Sequence, residues 1–290
     1  MGRRPIPFMA EDQMQLQRWE LKYVIPEELA LAVRDFVRPY LELDEYGAKR
    51  PDLSYTIHNL YLDSDDLAIY WGTINGDRNR YKLRLRFYED NPKAPVFFEI
   101  KRRANEAIIK QRGGVKRAAV GAVLAGQLPS PEELVSGDPR QLGALQRFIE
   151  LSSHHHAQPV AHVRYDREAW ISIHDNSVRV TLDRNVLISP EFVARFTDHQ
   201  DHPTCVFGRL VILELKFTGR FPDWFKEMVR VFNLRQGSAS KYADGIARKG
   251  ENYFYRNGAT RFQTIDLRSA MARRDTRLAS LDNLSGFTTQ

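Results

Sequence analysis

Four cations alternate with four apolar or aromatic residues along Arg80-Tyr81-Lys82-Leu83-Arg84-Leu85-Arg86-Phe87. Successive side chains of a strand point to opposite faces, so Tyr81, Leu83, Leu85 and Phe87 share one face and the cations share the other. A single strand of this kind is ordinary surface. Here the pattern recurs. Glu20 and Lys22 share a face, as do Glu99 and Lys101 within Phe97-Phe98-Glu99-Ile100-Lys101, and Glu214 and Lys216 within Leu213-Glu214-Leu215-Lys216. Lys110 and Arg112 share a face, and Arg179 lies opposite Val178, Val180 and Leu182. Bulky apolar residues flank each charged pair, so both faces of these strands have something to cover.

Cross-strand ion pairing on an open sheet would account for part of this. Closure of the strands into a barrel accounts for all of it: apolar faces pack outward against helices, charged faces line a tunnel, and no sheet edge stays exposed. An empty tunnel of this kind is electrically costly. Two cations about 8 Å apart repel by roughly 2 kcal/mol at an effective dielectric of about 20. A polyanion with a divalent cation relieves the repulsion, because Lys and Arg bind phosphate oxygens and carboxylates hold the metal. A phosphate oligomer suits an enclosing tunnel better than a nucleic-acid duplex does.

The elements that position these residues follow from periodicity. The stretch Trp19–Ile25 alternates as a strand, and residues 26–41 carry Leu29, Val33, Phe36, Val37 and Leu41 at helical spacing after Pro26. Strands are predicted at 57–62, 80–88, 96–103, 107–112, 160–173, 177–188 and 209–218. A short helix follows Ser64-Asp65-Asp66, a helical insert begins with the cap Ser130-Pro131-Glu132-Glu133, and another helix spans 222–232. Strands joined by turns, with helices in the gaps, argue for antiparallel α+β architecture. Residues 1–15 read as a flexible arm, 16–250 as one domain, and 251–290 as a poorly ordered basic tail that includes Arg268, Arg273, Arg274 and Arg277.

Composition narrows the class. The 290 residues hold 43 Lys and Arg against 37 Asp and Glu, a formal charge of +6 that suits an anionic ligand without marking a nucleic-acid binder. Cys205 is the single cysteine, which excludes an internal disulfide and a thiolate-only zinc site. No apolar run reaches membrane-spanning length, and no apolar segment follows the basic Arg3-Arg4 in the manner of a signal peptide. His154-His155-His156 reads as a solvated loop rather than a metal site.

In chain order, Glu20-Leu21-Lys22-Tyr23, Asn59-Leu60-Tyr61-Leu62-Asp63, Lys82-Leu83-Arg84-Leu85-Arg86, Phe98-Glu99-Ile100-Lys101, Tyr165-Asp166-Arg167, Arg179-Val180-Thr181-Leu182-Asp183, Leu213-Glu214-Leu215-Lys216 and Ser240-Lys241-Tyr242 resemble the VTC domain. This is the catalytic domain of the vacuolar transporter chaperone complex, a polyphosphate polymerase in the triphosphate tunnel metalloenzyme superfamily. The resemblance runs from about Arg18 to Gly245. It implies a closed eight-stranded antiparallel β-barrel with helices packed outside. By motif it implies phosphate contacts from Lys22, Arg84, Arg86, Lys101, Lys110, Arg167, Arg179, Ser240 and Lys241. The strand faces add Arg112 and Lys216. Of these, Lys22, Arg84, Arg86, Lys101, Arg167, Arg179 and Lys241 are expected to act in catalysis. The metal-binding glutamate falls on Glu214, with Glu20 and Glu99 as helpers by their facing. Arg18 replaces the first carboxylate of the superfamily's Glu-x-Glu-x-Lys signature, and Ser238 stands where family polymerases carry a lysine.

The expected activity is transfer of the ATP γ-phosphate to a growing inorganic polyphosphate chain, with Mn²⁺ or Mg²⁺ as cofactor and a phosphate oligomer such as pyrophosphate as primer. The alternatives are hydrolysis of tripolyphosphate or nucleoside triphosphates, and polyphosphate binding without turnover. A cytoplasmic location is expected, with a separate membrane protein as an open option for receiving the product. No nucleic-acid partner is expected, and the sequence leaves the oligomeric state open.

Overall fold

The computed structural model describes residues 18–105, 107–173, 175, 177–256 and 267–286. The expected arm at 1–15 lies outside the described residues.

Ten strands form one antiparallel sheet. Eight make up its path: β1 (Arg18–Ile25), β10 (Val211–Thr218), β8 (Val178–Pro190), β7 (Gln158–Ile171), β3 (Tyr55–Asp63), β4 (Asn79–Phe87), β5 (Val96–Ala104) and β6 (Ala107–Val115). Two short strands lie off it, β2 (Glu42–Leu43) on β7 and β9 (Thr204–Cys205) on β8. The predicted strands all form, with ends shifted by a few residues.

The sheet does not close, and the expected barrel is therefore corrected. β1 and β6 stand at opposite ends of the path and do not pair. The reason lies at their outer edges, which other segments occupy. Gln236 bridges to Tyr23 and the Gly237 N–H donates to the Lys22 carbonyl at 2.9 Å, along β1. Leu134 bridges to Val115 and the Val135 N–H donates to the Gly114 carbonyl at 3.1 Å, along β6. Loops thus satisfy the edge groups that a closing strand would otherwise need. The sheet still curls, since Lys101 on β5 reaches Glu20 on β1 at 3.1 Å.

The apolar faces behave as alternation predicts. Leu83, Leu85 and Phe87 are fully buried and pack with α3 (Val120–Leu124) and α4 (Pro139–His154) through Val120, Val123, Leu145 and Phe148. At the other end of the outer face, Leu213, Leu215, Val180 and Leu182 meet α1 (Glu27–Val37) and α5 (Asp223–Val231).

The inner face holds a surprise for a charged tunnel, because half of it is apolar. Ile57, Tyr61, Val163, Ile188 and Ile212 form a third cluster with α2 (Ala68–Ile74) and α6 (Lys241–Lys249). Helix α6 therefore lies within the curl. It packs so closely on β8 that a Cβ on Gly245 would stand 2.6 Å from Ile188 Cδ1. Tyr242 stacks on Tyr61 at 4.6 Å and donates to Asp63 at 2.6 Å, while Asp63 also accepts the Ile69 and Tyr70 N–H groups that open α2. Where the sequence reads as a tail, Leu267–Gly286 forms α7. Among the described residues no helix is long and apolar enough to cross a membrane.

Candidate phosphate-binding site

The charged half of the inner face divides into three groups of side chains. The first surrounds Glu214 on β10 and Asp183 on β8. Arg167 from β7 grips Asp183 with Nε and Nη2, each at 2.6 Å, and reaches Glu214 at 3.4 Å. Lys241, the first residue of α6, stands 2.6 Å from Asp183 and 3.2 Å from Glu214. Lys216 donates to Glu214, and the Thr181 hydroxyl does so at 3.4 Å. Burial works to raise the Glu214 carboxyl, but Lys216, Lys241, Lys22 and Arg167 overcome it and hold it well below the usual carboxylate range. Burial also pushes Lys216 down, against the pull of Glu214, to about 8. Arg179 stands aside from this group, paired with Asp44 at 3.1 Å.

The second group surrounds Glu99 on β5. Arg84 donates through Nε at 2.8 Å, Lys110 stands at 3.0 Å, Arg112 at 3.5 Å and Arg86 at 3.6 Å. Four cations meet one carboxylate. Lys110, whose side chain is half-exposed, is held down to about 7 by its partial burial and, against Glu99, by Arg86 and Arg84. Arg86 also donates to Asn59 Oδ1 at 3.0 Å.

The third group walls a cavity of about 640 Å³ beside the start of α6. Its cations are Lys22, Arg80, Lys82, Lys101, Arg103 and Arg277, and its acid is Glu20. The uncharged loop from Gln236 to Ser240, including Ser238, completes the wall. Lys82 donates to the Ser240 hydroxyl at 2.8 Å. Arg80 and Arg103 donate to the carbonyls of Asp77 and Asn105, at 2.6 and 2.9 Å. Among the described residues, none of Lys82, Arg80 and Arg103 has a carboxylate within ion-pair distance. Burial, with Lys22 and Lys101 nearby, pushes the Lys82 ammonium well below its ordinary value. Ser240 caps α6 by accepting the Ala243 N–H at 3.2 Å.

The predicted residues are thus brought to one face but not to one spot. Lys22, Lys101, Glu20 and Ser240 line the cavity; Arg84, Arg86, Lys110, Arg112 and Glu99 form their own group; Arg167, Lys216, Lys241 and Glu214 form another. Sequence reasoning passed over Lys82, although it continues the alternation of Arg84 and Arg86. Asp183 lies within the Arg179–Asp183 motif, whose pattern assigns it no role. Arg103 lies two residues beyond Lys101 on the same face, and Arg277 left no signal in the periodicity.

A family model for the VTC domain matches residues 17–249. The chain belongs to the VTC domain family. The VTC domain has the triphosphate tunnel metalloenzyme-like fold, and membership supports a function connected with polyphosphate. No curated protein matches the chain. Among solved structures, the PH1819 protein from Pyrococcus horikoshii OT3 is similar at 12% identity, over 80% of this chain and 99% of that one, with a TM-score of 0.42. That likeness is too distant to carry an argument.

Triphosphate tunnel proteins of this family are in general metal-dependent. Among the described residues, no three His, Cys, Asp or Glu side chains converge as a ready-made metal site. Two carboxylates share one ammonium: that of Lys22 lies 3.2 Å from Glu20 and 3.4 Å from Glu214. Hard oxygen donors in that number suit a magnesium-like ion that takes its remaining ligands from phosphates and water. By donor type Glu20 and Glu214 are compatible with such an ion, which would take the place of the Lys22 ammonium between them. Glu99 sits in a separate group, engaged by four cations.

Proposed function

We propose that this VTC-family protein is a polyphosphate polymerase that moves the γ-phosphoryl group of ATP to the end of an inorganic polyphosphate chain and releases ADP. The observation that supports this best is the cavity wall, where Arg80, Lys82 and Arg103 face about 640 Å³ of space with no carboxylate partner among the described residues. Clustered cations without counter-charge repel one another, and a row of phosphates supplies that charge at every step.

In the transfer, the bond between the γ-phosphorus and the β,γ-bridging oxygen breaks, and its electron pair leaves with ADP. A terminal oxygen of the chain forms the new bond. The attacking oxygen already belongs to the substrate, so no side-chain nucleophile is needed. Ser240 acts instead as a cap, its hydroxyl engaged by Lys82 and the Ala243 N–H. The protein's task is positioning and charge neutralisation. Arg80, Lys82, Lys101 and Arg103 hold non-bridging oxygens of donor and acceptor in line. Arg84, Arg86, Lys110 and Arg112 draw the chain along the Glu99 side, where positive charge is in excess. Arg167 and Lys241, locked on Asp183, keep Glu214 ionised and correctly placed. Glu214 and Glu20 would hold a manganese or magnesium ion, which would supply Lewis-acid neutralisation of phosphate oxygens when bound.

The test is incubation of purified protein with ATP, Mn²⁺ and a range of phosphate primers, read on a gel stained for polyphosphate. A ladder of growing chains is expected. Orthophosphate without polymer would select hydrolysis, and binding without ATP consumption would select a non-catalytic module.

A further inference from the structure

We propose that Arg277, carried by helix α7 beyond the VTC domain, is a phosphate ligand of the cavity. The family match ends at residue 249, and α7 spans Leu267–Gly286. Yet Arg277 lines the same cavity as Arg80, Lys82 and Ser240. Its guanidinium pairs with the fully buried Asp244 in the first turn of α6, with Nη2 at 3.0 Å from Oδ2. Asp244 Oδ2 also accepts the Ser240 N–H at 2.7 Å, and Ser240 Oγ accepts from Lys82. Arg277, the start of α6 and Lys82 are therefore one hydrogen-bonded unit at the cavity wall.

Helix α7 is fixed well enough to hold that position. Leu281 is buried in the cluster around α6, Arg248 pairs with Asp282 at 2.6 Å, and Arg274 pairs with Glu251 at 3.0 Å. Asp244 engages Nε and Nη2 of Arg277, leaving the Nη1 side for phosphate oxygens. A fastening for α7 alone has no need of another cation beside Arg80 and Lys82, neither of which has a carboxylate. An anion shared by the three makes the arrangement favourable. This inference rests on the polyphosphate reading and extends it to a residue outside the family's domain.

The experiment is calorimetric titration of inorganic tripolyphosphate into full-length protein at several salt concentrations, without nucleotide or metal. Arg277→Gln keeps an N–H donor for Asp244 but loses the charge. It is expected to weaken binding about tenfold and to reduce the slope of log affinity against log salt by about one. Arg277→Lys should keep the wild-type slope. Arg273→Ala, whose side chain bonds Asn75 away from the cavity wall, should bind as wild type. Wild-type affinity and slope in Arg277→Gln, or weaker binding with an unchanged slope, would overturn the inference while leaving the proposed function standing. A wild type that fails to bind tripolyphosphate would overturn both. Should Arg277→Gln not fold, the arginine side-chain N–H signals of wild type decide: the signal missing from Arg277→Lys must shift when tripolyphosphate is added, and no shift overturns the inference.

Discussion

Around Glu214 and Asp183 four cations, Lys22, Arg167, Lys216 and Lys241, share two carboxylates, whereas around Glu99 four cations share one. The first group is closed, with Asp183 fully buried and Lys241 only 8% exposed. The second opens outward, with the side chains of Lys110 and Arg112 at 48% and 35% exposure. The cavity wall carries the imbalance further, with cations that have no carboxylate at all among the described residues. Charge that is more nearly balanced, and closed off, builds the protein. Charge left unbalanced beside open space marks where an anion belongs.

The sharpest break between the regions comes from removing a carboxylate. Asp183→Asn leaves Arg167 and Lys241 buried without their main partner and should cost about 3–5 kcal/mol in chemical denaturation. Tripolyphosphate should not restore that loss, because Asp183 is fully buried with Arg167 and Lys241 turned onto it. Glu99→Gln should also destabilise the empty protein, but there added tripolyphosphate should recover the stability. Equal rescue of both variants would erase the distinction.

The two faces of β4 give the next largest contrast. Leu85→Ala removes a fully buried side chain and should cost about 2–5 kcal/mol. Arg84→Ala leaves Glu99 with three other cations, so its loss in a thermal melt should be much smaller while polyphosphate synthesis disappears. Glu214→Gln sharpens the assignment of the metal: turnover and manganese dependence should fall together, with metal-free phosphate binding retained. Unchanged manganese dependence would make Glu214 solely an ion-pair partner of the lysines.

The smallest effect is a pH slope. With Lys216 at about 8 in the fold and near 10.4 when unfolded, the unfolded chain binds more protons between those values. Stability of the empty protein should therefore rise with pH over that window, by up to about 1.4 kcal/mol per pH unit for this one group. Lys216→Arg should flatten that trend.

Much of this arrangement is legible in the sequence because alternation reports faces. Arg84 and Leu85 point as their neighbours demand, and Ser240 announces the start of α6 by its type. Alternation says nothing of what meets a strand's edge. The segments on β1 and β6 bond through backbone groups at Gly237 and Val135, which leave no side-chain pattern, so the open sheet could not be foreseen. Strands β3 and β7 are covered on both faces, and the apolar half of the curl becomes visible only once α6 is seen lying in it. Arg277 lies far along the chain from the strands it joins, on a helix with no clear apolar stripe.

The central claim, that unbalanced cations hold a phosphate chain for extension, is tested most directly by following ATP with Mn²⁺ and a short phosphate primer by ³¹P NMR. The account predicts that ATP γ-phosphate signal is replaced by mid-chain phosphoanhydride signal, with ADP appearing in matching amount, and that Lys82→Ala abolishes this conversion. Orthophosphate as the main product, or ATP unchanged in the presence of folded protein, would contradict it.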